Sequence, residues 1–132
     1  MIIDGLPLKL HKNKSKMQSL NFNRFIKDNF YVRKRLEKEF FKIFKNICAE
    51  LDCIYPEPPL QLTYTVFRQD HSKVDLSNIC TVADKFSQDA MVKCGLIHDD
   101  NIKYIKDVRY QDGGVDKTHP RICLKISSLN HL

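Results

Sequence analysis

Apolar residues recur every three or four positions over a long segment that begins near Asn29, a spacing that places them along one side of an α-helix. The stripe consists of Val32, Leu36, Phe40, Ile43, Ile47 and Leu51. The other side carries Arg33, Lys34, Lys38, Lys42 and Lys45. Burying the stripe therefore leaves a cationic helix face in solvent, and any fold of this chain must accommodate both.

Two further elements follow from the sequence pattern. Residues Leu60 to Phe67 alternate apolar and polar side chains of β-favouring types, which predicts a strand. Ser77 or Asn78 can cap a second helix that runs to about Cys94, with Gly95 in the usual terminating position. Its predicted buried stripe is Ile79, Val82, Ala83, Phe86, Ala90 and Met91.

The two ends of the chain predict strands. Ile2 to Leu10 is apolar enough for a first strand and continues into the basic stretch His11–Lys16, for which we expect a mobile, solvated loop; residues 1–19 thus form a basic amino-terminal strand and loop. Ile102–Tyr110 and Arg121–Ile126 predict two adjoining antiparallel strands, with a turn signal at Gln111–Gly114 between them.

A chain of 132 residues has room for one core, so residues 1–132 are predicted to form a single α/β (α+β) domain. We expect a small mixed sheet of about four strands packed with two main helices. The sequence contains neither a run of roughly 18 apolar residues nor an amino-terminal leader pattern, so we expect a soluble, cytoplasmic protein without a membrane partner. The five cysteines lack zinc-knuckle spacing and are interpreted as reduced thiols. Gly113–Gly114 is not a nucleotide-binding loop, and no nucleotide cofactor is expected.

Charge is unevenly distributed. The net charge is +6, and residues 9–45 contain 12 lysines and arginines against three acids, whereas the remainder is net acidic. This distribution indicates an anionic partner, although a charged helix face is often only a solvated face.

Acidic residues stand at two predicted junctions. Asp75 follows the Leu60 strand, and Asp99 and Asp100 follow the second helix. Carboxylates at such junctions can converge, and Mg²⁺ prefers one or two of them together with water and substrate phosphate. Lys85 and Asp89 lie one helical turn apart and could face these acids. Spacing alone, however, favours an exposed ion pair for them and a solvated turn for Asp99-Asp100.

Taken together, three segments resemble the RusA-like Holliday junction resolvases: Asp75-Leu-Ser-Asn78, Asp84-Lys-Phe-Ser-Gln-Asp-Ala-Met-Val92 and Gly95-Leu-Ile-His-Asp-Asp-Asn101. The family pattern consists of an Asp-Leu-Asp-Asn motif, a helix with a lysine and an Asp-Ala step, a glycine and paired aspartates. Leu20-Asn21 with Arg24 also resembles the amino-terminal region of phage members. The resemblance covers roughly residues 20 to 126.

The resemblance implies a RusA-like fold and a homodimeric, Mg²⁺-dependent endonuclease that resolves Holliday junctions or other branched DNA, with Mn²⁺ expected to substitute. It points to bacterial or phage DNA recombination, replication, repair or packaging. The implied catalytic residues are Asp75, Lys85 and Asp100. The implied metal ligands are Asp75, Asp89, Asp99 and Asp100. The basic loop and first helix would hold the phosphate backbone through Lys12, Lys14, Lys16, Arg24, Arg33, Lys34 and Arg35.

The sequence departs from the family pattern in two places. Ser77 stands where the family has a second aspartate, and about four extra residues precede Lys85. Asp84 or Asp89 could supply the missing oxygen, with Asp89 favoured, Asn78 could contribute its carbonyl, or the site could bind metal weakly. Two rival functions follow: a branched-DNA-binding protein that has lost catalysis, and an interaction protein whose basic helix contacts an acidic protein.

Overall fold

Six strands and three helices make up the part of the chain that the computed structural model describes, residues 1–52 and 54–130. In chain order they are β1 (Ile2–Leu6), β2 (Lys9–His11), β3 (Met17–Ser19), α1 (Phe22–Phe25), α2 (Phe30–Ala49), β4 (Leu60–Arg68), α3 (Leu76–Lys93), β5 (Ile105–Val115) and β6 (Arg121–Ser128).

Four strands form one mixed sheet in the order β1-β6-β4-β5. The inner strand β4 runs parallel to β5 and antiparallel to β6, and β1 pairs antiparallel with β6 at the far edge. The short strands β2 and β3 form a separate antiparallel hairpin. A four-stranded mixed sheet with two long helices confirms the predicted α+β fold class.

Alternation along β4 determines which face of the sheet is covered. Leu60, Leu62, Tyr64 and Val66 are buried, whereas the residues between them are half-buried on the opposite face. The predicted strand is thus confirmed and extends one residue further, to Arg68. On the covered side, the ring of Phe86 in α3 lies 5.4 Å from that of Phe25 in α1 and 5.4 Å from that of Phe40 in α2. The three helices therefore share one core.

Helix α2 begins where the sequence predicted. The side chain of Asn29 accepts a hydrogen bond from the Val32 amide at 3.0 Å and caps the helix. The buried line follows every fourth residue, Leu36, Phe40, Phe44 and Cys48, so Ile43 and Ile47 are only partly buried. The cationic side of the helix faces solvent.

Helix α3 begins two or three residues earlier than predicted. Asp75, not Ser77 or Asn78, is the cap: its backbone is extended, and its carboxylate accepts hydrogen bonds from the amides of both residues. The predicted end is confirmed, because Cys94 closes the helix and Gly95 follows with φ +76°. Within the two described ranges, no helix is long and apolar enough to cross a bilayer.

The predicted hairpin between the last two strands is wrong. β5 and β6 do not pair with each other; they flank β4 on opposite sides, and Gln111–Gly114 lies inside β5. The pairing register shifts at Gly113, where Val66 pairs with Asp112 and Phe67 with Gly114. The two glycines thus form a bulge, because Gly114 adopts φ +90° and Gly113 lies directly beneath Phe67 and Thr65.

The basic amino-terminal stretch is exposed, as predicted, but it forms an ordered turn between β2 and β3. The Lys12 amide donates to the Lys16 carbonyl at 3.0 Å, and the Asn13 side chain accepts hydrogen bonds from the Ser15 and Lys16 amides. The sequence did not predict the strand Met17–Ser19 that closes this hairpin.

Three of the described cysteines agree with the prediction of reduced thiols. Cys80, Cys94 and Cys123 form no disulfide, and burial raises the pKa of the Cys80 thiol to about 12. Cys48 lies buried on α2. Cys53 lies outside the described residues.

The bulge makes a testable prediction about Gly113. A Cβ atom at this position would lie 2.8 Å from side-chain carbons of both Phe67 and Thr65. Gly113→Ala is therefore expected to lower the free energy of unfolding by about 1–3 kcal/mol, the usual cost of overpacking, as measured by urea denaturation. Gln111→Ala, at an exposed position of the same strand, is the control. Equal stability of the two variants would contradict the close packing.

Candidate functional site

A groove of about 690 Å³ lies where β4 ends and α3 begins. Open α/β sheets bind ligands beyond the carboxyl ends of their parallel strands, and this groove occupies that position on β4. Charged residues reach it from β2, from the end of β4, from the β4–α3 loop and from the β5–β6 loop. Its charged lining is Lys9, Arg68, Asp70, Lys73, Asp75 and Lys117.

Asp75 presents its carboxylate to this groove. The cap holds one carboxylate oxygen against the amides of Ser77 and Asn78, at 3.0 and 3.4 Å. The other oxygen lies 3.4 Å from the side-chain amide of Asn78, which also lines the groove. Helix formation thus fixes the orientation of Asp75, and the groove contains both the first and last residues of the Asp-Leu-Ser-Asn motif.

The same groove contains a second acid, Asp70, which the sequence pattern does not single out. Hydrogen bonds from the hydroxyl and amide of Ser72 hold the pKa of the Asp70 carboxyl below its ordinary value. Asp70 therefore carries a negative charge at neutral pH. It lies in the loop between β4 and α3, a position that its sequence context does not distinguish from an ordinary turn aspartate.

A second groove, of about 490 Å³, neighbours the first. The two share Ser19 and Asn21 in their walls. Its cations are Lys12, Arg24 and Lys27. The structure thus brings two predicted DNA-binding residues together with Lys27, which the sequence analysis did not select.

The other predicted DNA-binding residues have different environments. Arg33 is a structural residue: its guanidinium donates to the Phe25 and Ile26 carbonyls and lies 5.4 Å from the centre of the Phe25 ring. Lys34 forms an ion pair with Glu37 at 3.6 Å. Arg35 is exposed on α2, and Lys14 and Lys16 are exposed on the β2–β3 turn.

A second acidic group lies towards the carboxyl end of α3. Lys85 and Asp89 form the predicted helical ion pair, with Nζ 3.9 Å from the carboxylate. Burial raises the pKa of Asp89, and Glu37 and Asp100 raise it further against the effect of Lys85. Asp84 faces the sheet, where its carboxylate accepts hydrogen bonds from the Tyr64 hydroxyl at 2.7 Å and the Gln88 amide at 2.8 Å.

Asp100 acts electrostatically on this second group. Burial is the main cause that raises the pKa of Asp84, and the negative charge of Asp100 raises it further. The hydrogen bonds from Gln88 and Tyr64 act in the opposite direction and lower it. Asp84, Lys85, Asp89 and Asp100 thus influence one another, and we call them the carboxyl-end cluster. Asp84 and Asp89 were the two residues considered as replacements for the acid missing at Ser77.

Asp99 has a local structural role. Its two carboxylate oxygens accept hydrogen bonds from the Asp100 amide at 2.8 Å and the Asn101 side chain at 2.9 Å. These bonds hold the pKa of Asp99 below its ordinary value. Asp99 therefore shapes the loop that presents Asp100.

The two predicted acidic junctions do not converge within one chain. Asp75 caps the amino end of α3, whereas Asp100 follows its carboxyl end and lies close enough to Asp84 and Asp89 to raise the pKa of both. Among the described residues, no three histidine, cysteine, aspartate or glutamate side chains are placed to hold a metal ion. The expected site of Asp75, Asp89, Asp99 and Asp100 is thus not assembled in a single copy. The carboxylates are suitable Mg²⁺ ligands, but one chain does not bring them together.

Comparisons with known proteins add no assignment: no protein-family model matches the sequence, and no curated protein matches it. The resemblance to RusA-like resolvases therefore rests on the motif residues quoted above. The family remains a prediction.

The environment of Asp84 makes a pH-dependent prediction. The pKa of Asp84 is raised in the folded state, so its charged carboxylate destabilises the folded protein. Stability therefore decreases as pH rises from the pKa of the unfolded chain through that of the folded protein, and it is regained at low pH. Asp84→Asn keeps an acceptor for Tyr64 but has no charge. It is expected to raise the melting temperature increasingly from about pH 4 to about pH 8, as followed by circular dichroism.

Asp107→Asn is a control with the opposite sign. The hydrogen bond from Gln61 at 2.7 Å lowers the pKa of Asp107, so its ionised form stabilises the fold above the pKa of the unfolded chain. The Asp107→Asn variant should melt at a lower temperature at neutral pH. A melting-temperature change in Asp84→Asn that does not vary with pH would contradict the assignment.

Proposed function

We propose that the protein is a Mg²⁺-dependent endonuclease that cuts branched DNA as a homodimer. The observation that carries the proposal is a pair of neighbouring grooves with Ser19 and Asn21 in both walls, one lined by Lys12, Arg24 and Lys27 and the other by Asp75. The pair joins the basic amino-terminal region to the motif on which the family resemblance depends. We further propose that the enzyme acts in the cytoplasm of a bacterial or phage-infected cell.

The groove suits a DNA backbone because its cations come from separate segments arranged along one path. Lysines and arginines that neutralise phosphates give affinity that decreases steeply with salt and depends little on sequence. The acids Asp70 and Asp75 lie within this positive surface rather than apart from it. A phosphodiester held by the lysines would therefore lie near a carboxylate, as a hydrolytic site requires.

The separation of Asp75 from Asp100 favours a site shared between two copies. In a two-fold dimer with the α3 helices antiparallel, the amino end of one helix lies beside the carboxyl end of the other. Asp75 of one copy would then meet Asp100 and Asp89 of the partner, and these carboxylates would hold Mg²⁺. The metal, or Mn²⁺ in its place, would polarise the phosphate and activate water. Lys85 would offset the charge that develops on the phosphate.

The first test is incubation of the purified protein with a labelled four-way junction and with a matched linear duplex, in Mg²⁺ or in EDTA. Paired nicks are expected in the junction alone, and only with Mg²⁺. Asp75→Asn and Asp100→Asn should each reduce cleavage by at least about a hundredfold while the protein stays folded, the order of loss typical of a group that stabilises transition-state charge. Asp107 lies outside both grooves and outside the carboxyl-end cluster, so Asp107→Asn should keep wild-type cleavage. Undiminished cleavage by Asp100→Asn would refute the assigned site.

A mixing experiment tests whether the site is shared. In a dimer formed from one Asp75→Asn chain and one Asp100→Asn chain, one site carries both substitutions and the other is intact. Mixing the two inactive variants and allowing subunits to exchange should therefore restore nicking to about a quarter of the wild-type sites. If the mixture remains inactive although mass spectrometry detects mixed dimers, the two acids do not act across the interface.

A second function is favoured by a specific observation. Ser77 replaces a carboxylate, and no three potential metal ligands converge among residues 1–52 and 54–130. The corresponding candidate is a branched-DNA-binding protein without catalysis. It predicts junction binding of equal strength in Mg²⁺ and EDTA, with no nicks in either.

A further inference from the structure

Two aromatic side chains are exposed side by side at the first turn of α2. Phe30 is 65% exposed and Tyr31 is 82% exposed, and their ring centres lie 5.8 Å apart in an edge-to-face arrangement. Both rings lie outside the core. An exposed aromatic pair of this kind offers ring faces to a ligand.

Cations surround this pair. The Lys34 ammonium lies 5.6 Å from the centre of the Phe30 ring, and the first turn of α2 contains no acid. Arg24 and Lys27 precede the pair in sequence and line the second groove. The nearest acid in sequence, Asp28, is engaged by the Gln18 side chain at 2.7 Å. The aromatic pair thus has one ammonium beside its Phe30 ring and two groove-lining cations a few residues before it in sequence.

The pair is also held in place. Arg33 ties α2 to α1 by donating to the Phe25 and Ile26 carbonyls. The hydrogen bond between Gln18 and Asp28 fastens the α1–α2 connection to β3. Because the backbone that carries the rings is held by these contacts, stacking on a planar ligand need not first order it.

We propose that Phe30 and Tyr31 stack on unpaired DNA bases, while the adjoining groove holds the phosphates of the same strand. The inference rests on the proposed function and deepens it, because it assigns the recognised feature as the unpaired nucleotides at a branch point. Single-strand binding sites combine the same two parts, a cationic groove that follows the backbone and aromatic rings on which bases stack.

Charge argues against a second copy of the chain as the occupant. Two copies facing each other through this surface would bring Arg24, Lys27, Lys34 and their duplicates together, which is repulsive. An anionic membrane surface also matches aromatic and cationic groups. The concave second groove favours an extended nucleic-acid strand as the occupant. Binding to a membrane is one of the outcomes that the experiment distinguishes.

The experiment measures binding by the full chain in EDTA, so that cleavage plays no part. The probes are a fluorescein-labelled thymidine strand of about 12 nucleotides, a fully paired duplex, and vesicles of phosphatidylcholine with phosphatidylglycerol. The test variant is the double substitution Phe30→Ala, Tyr31→Ala. Tyr55→Ala is the matched control, because Tyr55 is also exposed, at 51%, and lies far along the chain in the α2–β4 connection.

The double variant is expected to bind the thymidine strand on the order of tenfold more weakly, the loss of one or more stacked bases. Its duplex affinity and the salt dependence of binding should be unchanged, because no phosphate contact is removed. Tyr31→Phe should bind like the wild type, and Tyr55→Ala should have no effect. Circular dichroism should give wild-type melting for every variant.

Wild-type affinity of the double variant for the thymidine strand would overturn the inference, as would an equal loss for strand and duplex. Binding to vesicles that is lost in the double variant, with DNA binding unchanged, would also overturn it and assign the pair to a membrane. The proposed function is judged separately by Mg²⁺-dependent junction cleavage. Weakened strand binding without any cleavage by the wild type would therefore support this inference and count against the nuclease.

Discussion

The parallel pairing of β4 with β5 is the constraint on which the rest of the structure depends. Parallel neighbours cannot be joined by a tight turn, so the chain must return along the sheet, and α3 makes that return. The helix consequently has one end near the carboxyl ends of the parallel strands and the other near their amino ends. Asp75 lies at the first end with the groove, and Asp100 follows the second end and acts electrostatically on Asp84 and Asp89. The division of the acids into two groups is thus a property of the topology.

Periodicity in the sequence predicted the elements that cross the core. The alternation from Leu60 to Phe67 and the stripe through Leu36 and Phe40 each correspond to an observed element, because burial on one face is a local pattern. The helix-ending Gly95 was also predictable, since its positive φ is a local requirement. The N-cap of α3 was less predictable, because Asp75, Ser77 and Asn78 are all suitable capping residues. Which of them caps the helix depends on the residue at which the helix starts.

Properties that depend on tertiary contacts could not be predicted from the sequence. Gly113-Gly114 carries the composition of a turn, yet the side chains of Thr65 and Phe67 on the neighbouring strand make it a bulge. Arg33 has the sequence context of a surface cation, but the carbonyls at the end of α1 engage it. The placement of Asp75 relative to Asp100 could not be predicted for a similar reason. Both follow regular elements, but the sequence does not say near which end of the parallel strands each of these elements finishes.

The bulge in β5 also bears on how copies of this chain can associate. β5 is the edge strand of the sheet, and an exposed edge of eleven residues is a template on which another strand can pair. Charged residues such as Lys106 and Arg109 project from this strand, and the bulge twists its last third away from a flat ladder. These features discourage growth of the sheet from chain to chain. The edge is therefore protected against aggregation, and self-association through it is disfavoured.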